Sequence, residues 1–336
     1  MRETQVLLDH GSGGRATHEL VARVFAPVLS NPFLDAMNDS AVMEIFGHHL
    51  AFTTDAYVVD PVIFPGGDIG SLAVHGTVND LAMSGAHPMV LTAGFILEEG
   101  LDLSLLETIV ASMAEAARKA GVVVVAGDTK VVPKGKGDKI FITTAGVGIV
   151  PPGVSVGGQN ARPGDAVLIN GTIGDHGTAI LCSREGLSME GDIQSDSAPL
   201  HTLTAVILQA CSHVHVLRDP TRGGVATTLN EIARQSHVGI RLFEEALPIR
   251  ADVAGACEIL GLDPLYMANE GKVLVVLPRE EAEKALDAMR RHPLGRNAAL
   301  IGEVLADNPG RVTLRTRIGG HRIVDMLRGE PLPRIC

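Results

Sequence analysis

Strand-length apolar runs alternate with segments of helical period along almost the whole chain, and this alternation is interrupted by Pro151–Pro152–Gly153 and Gly157–Gly158. A chain of 336 residues exceeds the usual reach of one core, so the interruption divides it into two compact units. Strands and helices alternate in both halves, which predicts mixed α/β architecture in each. In the first, Ala41–Phe46, Leu50–Val59, Met89–Ile96, Val122–Ala126 and Ile140–Val150 read as strands. The segment after Gly66–Gly67 has helical spacing, and so does Ser104–Lys119. Ser104 with Glu107 has the capping-box pattern, and Gly121 stops that helix. In the second unit, Arg162–Pro163–Gly164–Asp165 launches a strand at Ala166–Asn170, and Lys272–Leu277 is another. Helices are expected at Thr202–His213, Gly223–Gln235, Ala251–Leu260 and Glu280–Arg290. The expected organisation is an arm with a short helix from near Thr17 (1–35), a first domain (36–150), a second (151–329), and an extended, mobile tail (330–336).

A formal net charge of −11 argues against nucleic acid and anionic membrane as partners, since both need a basic face. It does not exclude a nucleotide, because a local cation reverses the sign within a site. Residues Met1 to His10 lack the apolar core of a secretory signal, and apolar runs such as Val273–Leu277 are too short for a bilayer. The expected location is therefore the cytoplasm. Cys182, Cys211 and Cys257 are far apart, form no CxxC pair and sit in apolar settings, so they read as buried small hydrophobes.

Chemistry-bearing residues cluster at turns. Asp39, Asp55, Asp80, Asp128 and Asp219 sit at turns, strand ends or beside glycine, where carboxylates suit hard cations shared with phosphates. Any one of them taken alone is equally a turn former. Asp80 differs, because it lies inside an apolar helical pattern where Asp is a poor local choice. Gly11–Ser12–Gly13–Gly14 and Gly223–Gly224 could wrap an anion with backbone N–H groups, or could be flexible turns. Neither a P-loop nor a GxGxxG after a first strand is present. In Gly127–Asp128–Thr129–Lys130 the lysine could neutralise phosphate charge or make a local ion pair. Glu270, in Ala268–Asn269–Glu270–Gly271–Lys272, is a general base if its site is dry, and part of a solvated turn otherwise. Cys336 ends the chain, and its α-carboxylate raises the thiol pKa, which suits a carrier better than an attacking nucleophile.

Together these segments resemble the superfamily containing aminoimidazole ribonucleotide synthetase, thiamine-monophosphate kinase, selenophosphate synthetase and the hydrogenase maturation factor HypE. Asn38–Asp39–Ser40–Ala41–Val42, Thr53–Thr54–Asp55, Asn79–Asp80–Leu81–Ala82–Met83–Ser84–Gly85–Ala86 and Gly127–Asp128 carry that likeness. The run from Asp55 to Gly67 is similar to the HypE family in particular. So are Gly127–Asp128–Thr129–Lys130–Val131–Val132, Arg218–Asp219–Pro220–Thr221–Arg222–Gly223–Gly224, and the ending Pro333–Arg334–Ile335–Cys336.

The resemblance implies a two-domain aminoimidazole-ribonucleotide-synthetase-like fold, α/β with mixed sheets. Its N-terminal domain builds a barrel across a homodimer, and a C-terminal α/β domain packs beside it with ATP between them. It implies that a carbamoyltransferase, HypF, loads a carbamoyl group onto the terminal Cys336. That group is then dehydrated to a thiocyanate with ATP and Mg2+, and the cyanide passes to iron on the HypC–HypD complex for nickel–iron hydrogenase. By the same resemblance Asp55, Asp80 and Asp219 hold magnesium, followed by Asp39 and Asp128. Gly11, Ser12, Gly13 and Gly14 cover phosphates, and Asn79, Thr129, Arg222, Gly223 and Gly224 complete the nucleotide site. Lys130 steadies the phosphoryl oxygens and Glu270 takes the nitrogen proton. Two rival readings are a small-molecule kinase or synthetase of the same superfamily, in which Cys336 has no role, and a non-catalytic assembly scaffold.

Overall fold

A computed structural model describes residues 5–187, 191–329 and 334–336. The first domain is a five-stranded sheet of β1 (Ala41–Ile45), β2 (His48–Tyr57), β3 (His87–Glu98), β4 (Val123–Val132) and β5 (Ile140–Val150). The strand order is β1-β2-β5-β3-β4, antiparallel except for the β3–β4 pair. That parallel pair needs a crossover, and helix Leu103–Ala120 supplies it. The helix is capped by Asp102, whose carboxylate accepts from Ser104 N–H at 2.8 Å, rather than by Ser104. It stops at Gly121 with φ 68°, as expected. Helix Ile69–Met83 starts at a capping box made by Asp68 and Ser71. It is buried on almost every side, which makes it a central helix rather than a surface one.

The second domain is a seven-stranded sheet of β6 (Asp165–Ile169), β7 (Val216–Arg218), β8 (Gly239–Phe243), β9 (Leu274–Pro278), β10 (Ala299–Leu305), β11 (Val312–Arg315) and β12 (His321–Val324). Its order is β12-β11-β8-β10-β6-β9-β7. Two of its helices, Asp175–Glu185 and Ala251–Leu260, bury residues such as Ile180, Val253 and Cys257 in one apolar cluster with Leu72, Ile109 and Ile142 of the first domain. The two domains therefore share a core, and polar groups gather along their seam. Ile335 belongs to that cluster, so the end of the chain is docked rather than extended away; 330–333 lie outside the described residues. Among the described residues no helix is long and apolar enough to cross a membrane.

Candidate active site

The seam opens into a cavity of about 230 Å³ where the two domains and the arm meet. It is lined by six carboxylates, Asp39, Asp55, Asp80, Asp219, Glu231 and Glu270, by Arg218 and Arg222, and by Cys336. Each lining element is fixed by groups just outside the cavity. Helix Ile69–Met83 delivers Asp80, and Thr53 on β2 donates to Asp80 Oδ2 at 2.7 Å. The neighbouring Asn79 does not face the cavity. Its amide donates to the carbonyls of Ala198 and Glu270, both at 3.1 Å, and accepts from Leu200 N–H at 2.8 Å. One dipeptide thus presents a carboxylate and pins the main chain of Glu270 opposite it. Asp196 holds Glu270 from the other side, accepting from Glu270 N–H, Gly271 N–H and the Lys272 ammonium. A side chain at Gly271 would meet the Asp196 carbonyl at 1.8 Å, so only glycine permits this approach. The segment around Glu270 is consequently buried, and the solvated-turn alternative is overturned.

Asp219 follows the short strand β7. The carbonyl of the next residue, Pro220, accepts from both the main-chain and side-chain N–H groups of the fully buried Asn269. Gly223 and Gly224 then adopt φ values of 74° and 59° to enter helix Gly224–Gln235. Buried Arg218 lies 3.1 Å from Asp39 and 2.6 Å from Glu231, which also meets His18 of the arm at 2.8 Å. Arg218, Glu231 and His18 escaped the sequence reading. Arg218 could have been found, since it opens the Arg218–Asp219–Pro220 turn.

Burial, together with neighbouring charges, raises the proton affinity of five of these acids, whereas Glu231 is lowered because Arg218, with His18, outweighs its burial. Burial, and then the neighbouring Asp39, push Asp219 up to about 8. Burial pushes Asp39 up to about 6, against the pull of Arg218. Asp80 and Glu270 are raised well above the usual carboxylate range, first by burial and then by Asp219. Arg222 is raised, first by the charge at Cys336 and then by Asp55 and Glu270 once burial is set against them. Oδ2 of Asp219 and Oε1 of Glu270 are buried without a hydrogen-bond partner, and Asp39, Asp80 and Asp219 offer oxygens within 4.8 Å of one another. Such a hard-oxygen set with orphaned atoms fits a divalent cation such as magnesium. A second, more apolar hollow, lined by Phe33, Leu34, Met37, Ala41 and Phe52, adjoins the first at Asp39 and Thr54.

The model of AIR synthase related proteins matches in both parts, its N-terminal domain over residues 37–150 and its C-terminal domain over 162–315. The chain is 58% identical to the carbamoyl dehydratase HypE of Azotobacter vinelandii, over 100% of this chain and 98% of that protein. It belongs to the HypE family. Two solved HypE structures match this HypE-family chain closely. One, a complex of HypE with HypF, has a TM-score of 0.88 at 52% identity, covering 92% of this chain and 99% of that one. The other, HypE with ATP, has a TM-score of 0.84 at 53% identity, covering 99% and 100%.

The expected site residues fall into three groups in this HypE-family chain. Gly13, Asp39, Asp55, Asp80, Asp219, Arg222, Glu270 and Cys336 converge on the cavity. Gly11, Ser12, Gly14, Asn79, Gly223 and Gly224 do not line it. The N–H groups of Gly13 and Gly14 are already taken by the hydroxyls of Thr17 and Ser12, and Arg222 donates to the Gly11 carbonyl at 3.3 Å. Asp128, Thr129 and Lys130 do not reach the cavity within one chain. They lie on the exposed edge strand β4, where Lys130 and Asp128 pair with each other at 2.7 Å. Asp39 therefore joins Asp80 and Asp219 in the compact carboxylate group, the place expected first of Asp55, which lines the cavity outside that group.

Proposed function

We propose that this chain uses ATP to dehydrate an S-carbamoyl group carried on Cys336 to a thiocyanate, supplying cyanide for nickel–iron hydrogenase. The observation that carries this reading is the place of Cys336: the last residue of the chain lines the same cavity as Glu270, Arg222 and the carboxylate group. A kinase or scaffold has no use for a terminal thiol there.

The chemistry balances with these groups. The carbamoyl oxygen attacks the terminal phosphorus of ATP, and ADP leaves. Nitrogen gives up one proton as the C–N double bond forms. It gives up the second as the C–O bond breaks, so that phosphate leaves and the nitrile remains. Glu270 takes a nitrogen proton, a role supported by its burial and by its lining the same cavity as Cys336. Arg222 balances the developing phosphoryl charge beside Cys336. Asp39, Asp80 and Asp219 would hold magnesium, which neutralises phosphate charge when bound. The apolar hollow next to Asp39 suits the base of the nucleotide.

The proposed partners follow from surfaces. Strand β4 is a ten-residue edge with nine residues exposed, Val123 at 62% and Val131 at 67% among them. An exposed apolar edge of this length calls for cover, and a second copy in a homodimer supplies it. Lys130, Asp128 and Thr129 would then act in the assembled pair rather than in one chain. A HypF-type carbamoyltransferase loads Cys336, and a HypC–HypD-type iron complex receives the cyanide.

Mass spectrometry of the C-terminal peptide tests the reading. With carbamoyl phosphate, the transferase and ATP, the peptide first gains a carbamoyl mass and then loses one water. A terminal peptide that stays unmodified under these conditions overturns it.

A further inference from the structure

Besides the burial of Ile335 and an ion pair of Arg334 with Asp138, the last three residues are held through their main chain. On helix Asp175–Glu185, Arg184 Nη2 donates to the Arg334 carbonyl at 2.8 Å and to the Asp60 carbonyl at 2.7 Å, while Nε donates to the same Asp60 carbonyl at 2.9 Å. Two turns earlier on that helix, His176 Nε2 donates to the Ile335 carbonyl at 2.8 Å. The other ring nitrogen, Nδ1, accepts from Ser195 Oγ at 2.7 Å, and Ser195 Oγ accepts in turn from Ser197 N–H at 3.1 Å. His176 is fully buried, with its ring edge-on to Phe64. From the opposite side, Val58 N–H donates to the Cys336 main-chain oxygen at 2.9 Å and Asp60 N–H to the Arg334 carbonyl at 3.2 Å.

We propose that His176 and Arg184 are positioning residues that read the main chain of the tail and set Cys336 in the cavity, so that a loading enzyme must break their contacts to reach the thiol. The inference rests on the dehydratase reading for its purpose, but its geometry stands apart from it. Three features carry it. Both donors project from one rigid helix. Both address carbonyls, so they recognise the path of the tail rather than its side chains. Each is braced by further contacts, Arg184 by the Asp60 carbonyl and His176 by Ser195. Burial lowers the His176 pKa, so the ring is neutral with its proton on the nitrogen facing Ile335. A two-point clamp of this kind gives loading and dehydration opposite responses: loosening it exposes the thiol and misplaces the carbamoyl group.

The first test uses the full-length, unmodified protein. Alkylation of Cys336 by iodoacetamide is followed on the terminal peptide. Arg184→Gln and His176→Phe should each alkylate about tenfold faster than wild type, the loss expected for a charge-assisted or buried hydrogen bond. His176→Gln, which retains a donor, should return toward the wild-type rate. On carbamoylated protein the same variants should dehydrate about tenfold more slowly, with ATP affinity unchanged, a combination that general destabilisation does not produce. A wild-type alkylation rate in a folded Arg184→Gln overturns the clamp. Should the variants fail to fold, amide exchange decides. Val58 and Asp60 must be protected in wild type and lose that protection in a chain ending at Gly329, and equal exchange in both overturns the proposal. Alkylation and exchange need no carbamoyl chemistry. A clamped tail that is never carbamoylated therefore defeats the dehydratase reading alone.

Discussion

Removing the charge of Asp219 should stabilise the metal-free protein. Its carboxyl lies between Asp39, Asp80, Asp55 and Glu270, and its proton affinity rises from the ordinary 3.8 to about 8. A tenfold change in proton affinity is about 1.4 kcal/mol. The unfavourable contribution near pH 8 is therefore on the order of 5 kcal/mol for an isolated group. Arg218 is already satisfied by Asp39 and Glu231, and an asparagine keeps part of the desolvation cost. The expected net gain for Asp219→Asn is on the order of 2 kcal/mol. The sign follows from proton counting. Between 3.8 and about 8 the folded chain holds a proton that the unfolded chain has released, so stability falls as pH rises through that window. The advantage of the variant should be greatest near pH 8 and should vanish below about pH 4. Urea unfolding in a chelator across this range measures it, and added magnesium should reverse the order by stabilising wild type more. A variant less stable than wild type at the alkaline end, or a gap that does not change with pH, would refute the electrostatic argument.

Other substitutions probe the scaffold and the chemistry. Arg218→Gln leaves Asp39 and Glu231 buried without their shared cation, and should cost about 3–5 kcal/mol in the same urea assay. Gly224→Ala forces an L side chain to φ 59° with its Cβ 2.5 Å from the Met267 carbonyl, and should cost about 2–4 kcal/mol; a neutral result would mean the turn is not rigid. Glu270→Gln should leave carbamoyl loading of Cys336 intact and slow dehydration by about 10²–10⁴-fold, read on the terminal peptide. Val125→Glu on the exposed edge strand should give a monomer by light scattering with unchanged circular dichroism; a persistent dimer would place the interface elsewhere.

Some of this architecture is legible in the residues alone, for local reasons. Strand Ile140–Val150 and helix Ala251–Leu260 fall where the apolar pattern put them. Asp80 stood out because a charged side chain interrupts an apolar helical stretch, and that helix is in fact buried almost all round. What was illegible depends on distant partners. Helix Asp175–Glu185 shows no period because its first eight residues are all buried, with Gly177 near its start to let the chain of Ala268 approach. The burial of Glu270 is imposed by Asp196 and Asn79, far away along the chain. Strand β4 runs on to Val132, past the Gly127–Asp128 that ends its apolar run, because it needs only one neighbour in this chain. The cap at Asp102 rather than Ser104 reflects two competent capping residues two positions apart.

Glu270 presents an apparent contradiction whose resolution ties the site together. A base must be ionised to accept a proton, yet burial, and then the nearby acids, strengthen this carboxyl's hold on its proton. Part of that shift can be reversed. After burial, the neighbouring acids Asp219, Asp196 and Asp55 raise Glu270, and Arg222 pulls against them. A cation held by Asp39, Asp80 and Asp219 would remove much of that repulsion and drive protons off the cluster. Glu270 would then become a base only when the phosphate-binding half of the site is filled. The acid cluster would thus serve two ends, holding the cation and keeping the proton acceptor idle until the cation is present. Such coupling protects a carbamoyl thioester at Cys336 from losing its nitrogen protons before its oxygen has been made a leaving group.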